Sequence, residues 1–244
     1  MNKYLLLWLE GPLQSWGADS KFDRRDTLPF PTKSGVLGLV LCAMGASGEQ
    51  KELLAQMAPF KQTVVAYTRT RKDSKDSLVK IERPPLLRDF HMVGAGYESD
   101  PKKNPWQALM EPYKSNGKRR TNEGGGAKMT YRYYLQDAVF AVILETPPNL
   151  AQTFADALKS PVYSIYLGRK NCVPSEFIYQ GIFDSQESAL DHAGSIMQEK
   201  ELMVDFRVFD GEHTGVPMSL NDVPVQFGPI KKYRDRRVTM VKNL

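Results

Sequence analysis

Few residues of this chain are of a type and spacing that could do catalytic chemistry. Its three histidines, His91, His192 and His213, stand far apart and outside any His-Glu-x-x-His or Cys-x-x-Cys pattern, so the sequence holds no metal signature. Its two cysteines, Cys42 and Cys172, cannot by themselves close a four-ligand zinc site or build a disulfide framework. His192 falls in an amphipathic helical stretch and is expected to face solvent. Gly124-Gly-Gly-Ala-Lys-Met-Thr130 contains a lysine and a threonine but lacks Walker-loop spacing, and there is no Gly-x-Ser-x-Gly motif. A lone His91 is thin material for general acid–base work. No catalytic residue, metal or cofactor is expected.

The binding patterns say more. Pro31-Thr-Lys-Ser-Gly35 opens a helical stretch. Free N–H groups at a helix start bind phosphate oxygens, and Lys33 and Ser34 would add donors; simple capping is the alternative. Thr130-Tyr-Arg-Tyr-Tyr134 interleaves aromatic rings with an arginine. Bases of single-stranded RNA stack on rings and guanidinium planes, which makes Tyr131 and Arg132 candidate contacts. Strand alternation would put Tyr131 and Tyr133 on one face and Arg132 and Tyr134 on the other, so part of the set belongs to a core. Gly168-Arg169-Lys170 either meets a phosphate or forms a tight turn with two exposed bases.

These residues need elements to hold them. Tyr4–Leu9 is a continuous apolar run ended by Gly11-Pro12 and reads as a buried central strand. Residues 13–31 read as a loop. A helix apolar nearly all round starts near Thr32 or Ser34 and stops at Gly45; a short one covers Glu49–Met57. Thr63–Arg69 reads as a strand, Met129–Leu135 and Ala138–Glu145 as a strand pair, 149–158 as a helix capped by Asn149, and Val162–Leu167 as a strand. The order strand, helix, strand, strand, helix, strand is that of an α+β, ferredoxin-like (RNA-recognition-motif-like) domain over residues 1–167. A helix from Ser185 to Met197, with Asp184 and Glu187 as a capping box, a strand over Leu202–Val208 and turn-rich strands then give a smaller C-terminal β-rich lobe, 168–244.

Charge is segregated along the 244 residues. The net formal charge is +5, yet residues 61–91 carry +4, 102–136 carry +6 and 231–244 carry +5, against −7 over 138–230. Three basic segments in an otherwise acidic chain fit a polyanion on one face. The middle segment overlaps a glycine- and proline-rich stretch of 94–128, too long for an ordinary connection. With 41% hydrophobic residues the chain can bury a core unaided, and its opening apolar run is too short for a signal-peptide core or a membrane span. A cytoplasmic location is expected.

Five segments occur in a telling order: Leu9-Glu-Gly-Pro-Leu-Gln-Ser-Trp-Gly17, Pro31-Thr-Lys-Ser-Gly-Val-Leu-Gly-Leu39, Asp89-Phe-His-Met-Val93, Tyr131-Arg-Tyr-Tyr-Leu-Gln-Asp-Ala138 and Tyr166-Leu-Gly-Arg-Lys-Asn-Cys-Val-Pro174. They resemble the CasD family, the Cas-five subunit of CRISPR Cascade in its type I-E form, over nearly the whole chain. The resemblance implies an RNA-recognition-motif-like domain with a projecting basic β-hairpin thumb, here 94–128. It implies a non-catalytic subunit that holds the 5′ handle of the CRISPR RNA, beside a Cascade backbone subunit and the large subunit. Target DNA is met through the assembled complex, and no membrane is involved. The RNA-binding candidates are then Lys33, Ser34, His91, Lys114, Lys118, Arg119, Arg120, Lys128, Tyr131, Arg132, Arg169 and Lys170. A sibling branch, in type I-C systems, cleaves precursor CRISPR RNA without metal, using tyrosine, lysine and histidine. Lys33, Tyr131 and His91 are the residues here that such an endoribonuclease would use.

Overall fold

The computed structural model describes residues 1–17, 20, 23–93 and 128–242. Strand β1 (Lys3–Glu10) lies inside an antiparallel sheet, its Leu5, Leu6, Leu7 and Leu9 fully enclosed, as its unbroken apolar run requires. β8 (Val139–Thr146) pairs along one side of it and β9 (Tyr179–Phe183) along the other. β4 (Gln62–Lys72) lies beyond β8. Helix α1 (Lys33–Ala43) connects β1 to β4, and α3 (Pro148–Lys159) connects β8 towards β9. The spatial order β4-β8-β1-β9 with two helical crossovers is consistent with the expected α+β, ferredoxin-like arrangement.

Leu5, Leu7 and Leu9 face the core beneath α1 and α3, while Leu6 and Trp8 face a second cluster under α4 (Gln186–Glu199). This alternation covers both sides of the sheet. α1 has Val36, Leu37, Leu39, Val40 and Leu41 buried because α3, the sheet and β11 (Val216–Gln226) enclose it. Burial of each such side chain is worth about 1.5–3 kcal/mol. α2 (Lys51–Met57) docks through Leu54 and Met57.

Several expectations change. Residues 162–167 are not a strand: Val162 N–H donates to Ala43 C=O at 2.8 Å, and Leu167 N–H to Cys172 C=O at 2.7 Å, inside a folded loop. The apolar residues there, Leu167 above all, serve the core from that loop, and the strand beside β1 is supplied later, by β9. The adjacent stretches 129–135 and 138–145 do not pair with each other. β7 (Lys128–Gln136) joins a second sheet with β2 (Leu13–Gln14), β3 (Arg24–Arg25) and β6 (Leu87–Val93), whereas β8 enters the main one. The chain switches sheets at Asp137, whose φ is +47°. α3 starts after Pro147 rather than on an Asn149 cap, and α4 is capped by Ser185, whose hydroxyl accepts from the Ser188 N–H, so the Asp184–Glu187 box is displaced by one residue.

Beyond β9 and α4 the chain forms three strands, β10 (Leu202–Asp210), β11 and β12 (Lys232–Lys242). These strands lengthen the same sheet outward from β4, in the order β4-β10-β12-β11. β5 (Leu78–Lys80) pairs with the outer end of β4. Of the expected thumb, 94–128, residues 94–127 lie outside the described residues; β6 and β7, which flank them, pair with each other. Among the described residues no helix is long and apolar enough to cross a membrane.

Candidate nucleic-acid interface

The hairpin of β6 and β7 carries side chains on two faces with different fates. On one face Tyr134 is buried, and the Arg169 guanidinium lies 4.7 Å from its ring centre. Arg169 also donates to the carbonyls of Tyr133 at 3.2 Å and Arg25 at 2.8 Å. It thus fastens the 168–172 loop to β3 and β7, and its charge is spent largely inside the protein. Arg132 and His91 share this face. Arg132 is half-buried opposite Asp89, and His91 Nδ1 stands 3.9 Å from the Asp89 carboxylate.

On the other face an open ladder alternates cations and rings. Arg24 lies 4.6 Å from the centre of Tyr133, Arg88 lies 5.4 Å from Tyr131, and Tyr131 meets Phe90 at 5.5 Å. Register explains the order: Arg88 faces Tyr133, Phe90 faces Tyr131 and Met92 faces Met129 across the two strands. Phe90, Met92 and Met129 are each more than half exposed. Exposed rings interleaved with guanidinium groups form a stacking platform for unpaired bases. The alternation expected of Tyr131 and Tyr133 is present, with Tyr134 on the core side. Arg24, Arg88 and Phe90 were not among the sequence candidates. The period of two in Arg88-Asp-Phe90-His-Met92 is the signal that marks them.

The start of α1 differs from its expected role. Thr32 caps the helix, accepting the Gly35 N–H at 3.1 Å. The Lys33 N–H is taken at 2.8 Å by a carboxylate oxygen of Asp222. An anion therefore already occupies the position a phosphate would take. The Lys33 side chain is 2% exposed, and its ammonium donates to the carbonyls of Ala58, at 2.9 Å, and Phe60. Burial pulls its pKa down to about 8. Lys33 is a buried structural cation, not a surface one. The Asp222 carboxylate in turn receives Arg236 in a forked pair at 2.7 and 2.8 Å, and Arg236 also meets Asp210. Burial raises the Asp210 pKa, against the pull of Arg236. The network ties β10, β11 and β12 to the helix start.

Beside α1 runs an open groove of about 660 Å³. Ser34, half-exposed, lies on its wall with Gly38, Tyr163, Tyr166, Lys231 and Tyr233. Gly168 also lines it; its φ is +94° and a Cβ there would stand 1.8 Å from the Ser15 carbonyl oxygen, so only glycine fits. Lys170 follows, exposed. Three tyrosines and a lysine around one groove suit a nucleotide chain, and their dispersal over residues 163–233 hides them from any local motif. Lys114, Lys118, Arg119 and Arg120 lie outside the described residues, and of Lys128 the backbone alone is described, at the head of β7. Among the described residues no cluster of three or more His, Cys, Asp or Glu side chains could hold a metal.

Comparison with known proteins agrees with this architecture. A family model described as CRISPR-associated protein (Cas5) matches residues 4–239. CRISPR system Cascade subunit CasD of Escherichia coli (strain K12) is 29% identical over 211 residues, covering 83% of this chain and 84% of the relative. A chain of a solved CRISPR RNA-guided surveillance complex superposes with a TM-score of 0.65 at 27% identity, over 98% of this chain and 90% of that one. A second solved structure, described as a Cas protein, gives a TM-score of 0.57 at 26% identity, over 98% of this chain and 94% of the other.

Proposed function

Because the chain belongs to the Cas5 family of CRISPR-associated proteins, we propose that it is a non-catalytic subunit of a type I-E Cascade complex that holds the 5′ handle of the CRISPR RNA. The observation that carries this reading is the open ladder of Arg24, Tyr133, Arg88, Tyr131 and Phe90. It offers ring and guanidinium faces to unpaired bases. The tyrosine-lined groove beside α1, with Lys231 on its wall, supplies a second stretch along which a backbone can lie. The guide itself supplies sequence specificity by pairing, so the protein has only to grip shape and phosphate. The basic segment 94–127 between β6 and β7 is the thumb in this reading, and the backbone and large subunits are the neighbours.

The experiment is reconstitution of the complex with guide RNA, followed by nuclease footprinting of the 5′ end. The wild-type chain should protect the handle. Tyr131→Ala with Arg88→Ala, and separately removal of 102–127 with a short glycine join, should leave it open to digestion while the chain stays folded. Full protection with both variants would refute the assignment. The purified chain by itself should leave its repeat RNA uncut, with or without divalent metal. Specific cutting at the repeat that disappears in His91→Ala would establish the endoribonuclease instead.

A further inference from the structure

The hairpin of β4 and β5 belongs to neither surface described above. β4 leaves the main sheet after Arg69, its last partner on β10, and runs on as an arm in which Thr70, Arg71 and Lys72 face Lys80, Val79 and Leu78. The arm is built rather than frayed. At its tip the Asp73 carboxylate accepts the N–H groups of Lys75 at 2.8 Å and Ser77 at 2.9 Å. At its base the Ile81 N–H donates to the Arg69 C=O at 2.9 Å, and the Thr70 hydroxyl to the Glu201 C=O at 2.6 Å. Just beyond, Arg83 pairs with Asp205 at 2.8 Å and lies over the rings of Phe140 and Phe206, at 5.2 and 4.9 Å.

Residues 69–80 hold five bases and two acids. Arg69 pairs with Glu10 at 3.2 Å and Lys72 with Asp76 at 2.9 Å. Arg71, Lys75 and Lys80 are exposed and make no ion pair among the described residues. Fixing three unpaired cations on one short arm costs mutual repulsion, which a polyanion relieves. Residues 68–82 contain no aromatic side chain, so the arm lacks the stacking platform by which single strands are gripped. A two-stranded β-ribbon has the cross-section that a double helix admits in its major groove, and cations on such a ribbon reach phosphates on either side. Arg69 and Arg71 continue the row of Val65 and Tyr67, which faces α4, while Lys80, opposite Thr70, stands on the other face, so the arm presents cations on both of its sides.

We propose that the β4–β5 arm binds the phosphate backbone of a double-helical nucleic acid, without sequence preference, through Arg71, Lys75 and Lys80. This rests on the preceding reading only in that the guide RNA is the ligand held elsewhere on the chain.

The test uses the full-length chain and two probes, a DNA duplex of about 30 base pairs and a single-stranded RNA of similar length, titrated by fluorescence anisotropy over a salt series. Replacing Arg71, Lys75 and Lys80 by alanine should weaken duplex binding roughly tenfold or more and reduce the slope of log affinity against log salt by about 2–3, near 0.9 per lost phosphate contact. Binding of the single-stranded RNA should change less than about twofold. The three side chains are exposed, so an unchanged melting midpoint is the fold control. The proposal falls if the wild type does not bind the duplex, if the variant keeps the wild-type slope, or if the RNA loses as much affinity as the duplex. That last result would assign the arm to the guide. Tyr131→Ala should give the reverse pattern, loss on RNA with the duplex unchanged, so that failure of the handle site and failure of the arm are told apart.

Discussion

The carboxylate of Asp222, on β11, accepts the backbone N–H of Lys33 at 2.8 Å and so closes the first turn of α1 from a point 189 residues away in sequence. The same carboxylate receives both arms of the Arg236 fork. Removing it with Asp222→Ala leaves Arg236 to Asp210 alone and strips the helix start of its acceptor. We expect a loss of about 3 kcal/mol in urea denaturation, at the lower end for breaking a buried pair. Asp222→Asn, which keeps an acceptor, should lose less. Equal stability of wild type and Asp222→Ala would mean that the network contributes nothing to folding.

Lys33 gives a pH signature. Its folded pKa lies near 8, below the ordinary 10.5, because burial disfavours the ammonium. Between these values the unfolded chain binds the proton that the folded chain has released. Stability should therefore rise with pH across that window, by up to about 3 kcal/mol, and the burial penalty should be complete below pH 8. Lys33→Met has no ammonium there to titrate. Denaturation of both proteins from neutral pH to about 10.5 should show their difference tilting towards the wild type. A difference constant with pH would contradict the buried cation.

Tyr131 offers the more exposed tyrosine ring of the β6–β7 ladder, at 36% relative exposure. If a base stacks there, Tyr131→Ala should lower handle affinity by about 1–3 kcal/mol, and Tyr131→Phe by little, since the π-face does the work. Filter binding with the handle RNA decides it. Equal losses in both variants would point to the hydroxyl instead.

Two glycines should respond oppositely to alanine. Gly168→Ala places a methyl group 1.8 Å from the Ser15 carbonyl oxygen at a left-handed φ of +94°, so the loop that carries Arg169 must move. We expect at least about 2 kcal/mol lost in thermal or urea unfolding. Gly38 lies inside α1 with nothing within 4 Å of an added Cβ, and Gly38→Ala should gain about 0.5–1 kcal/mol.

Local chemistry in the sequence determined much of the fold. The unbroken run of β1, the all-round apolar α1 starting near Thr32 or Ser34, and the existence of α3 and α4, though not their caps, are stated by local periodicity, which acts over a few residues. So was the tyrosine alternation of β7, and so was the family, because five short motifs in fixed order survive in the primary text. Only tertiary structure decided which apolar runs become strands. Residues 162–167 carry a strand's composition but are bent into a loop by contacts to Ala43 and Ser15, both more than 100 residues away, together with the nearby Cys172 carbonyl. It also decided which charges face outward. Lys33 reads as an exposed cation at a helix start, yet Asp222, Ala58 and Phe60 enclose it, while Arg71 and Lys80 remain in water because β4 outruns its neighbours. Burial of a charge depends on which distant segments pack around it, and no window of the sequence contains that information.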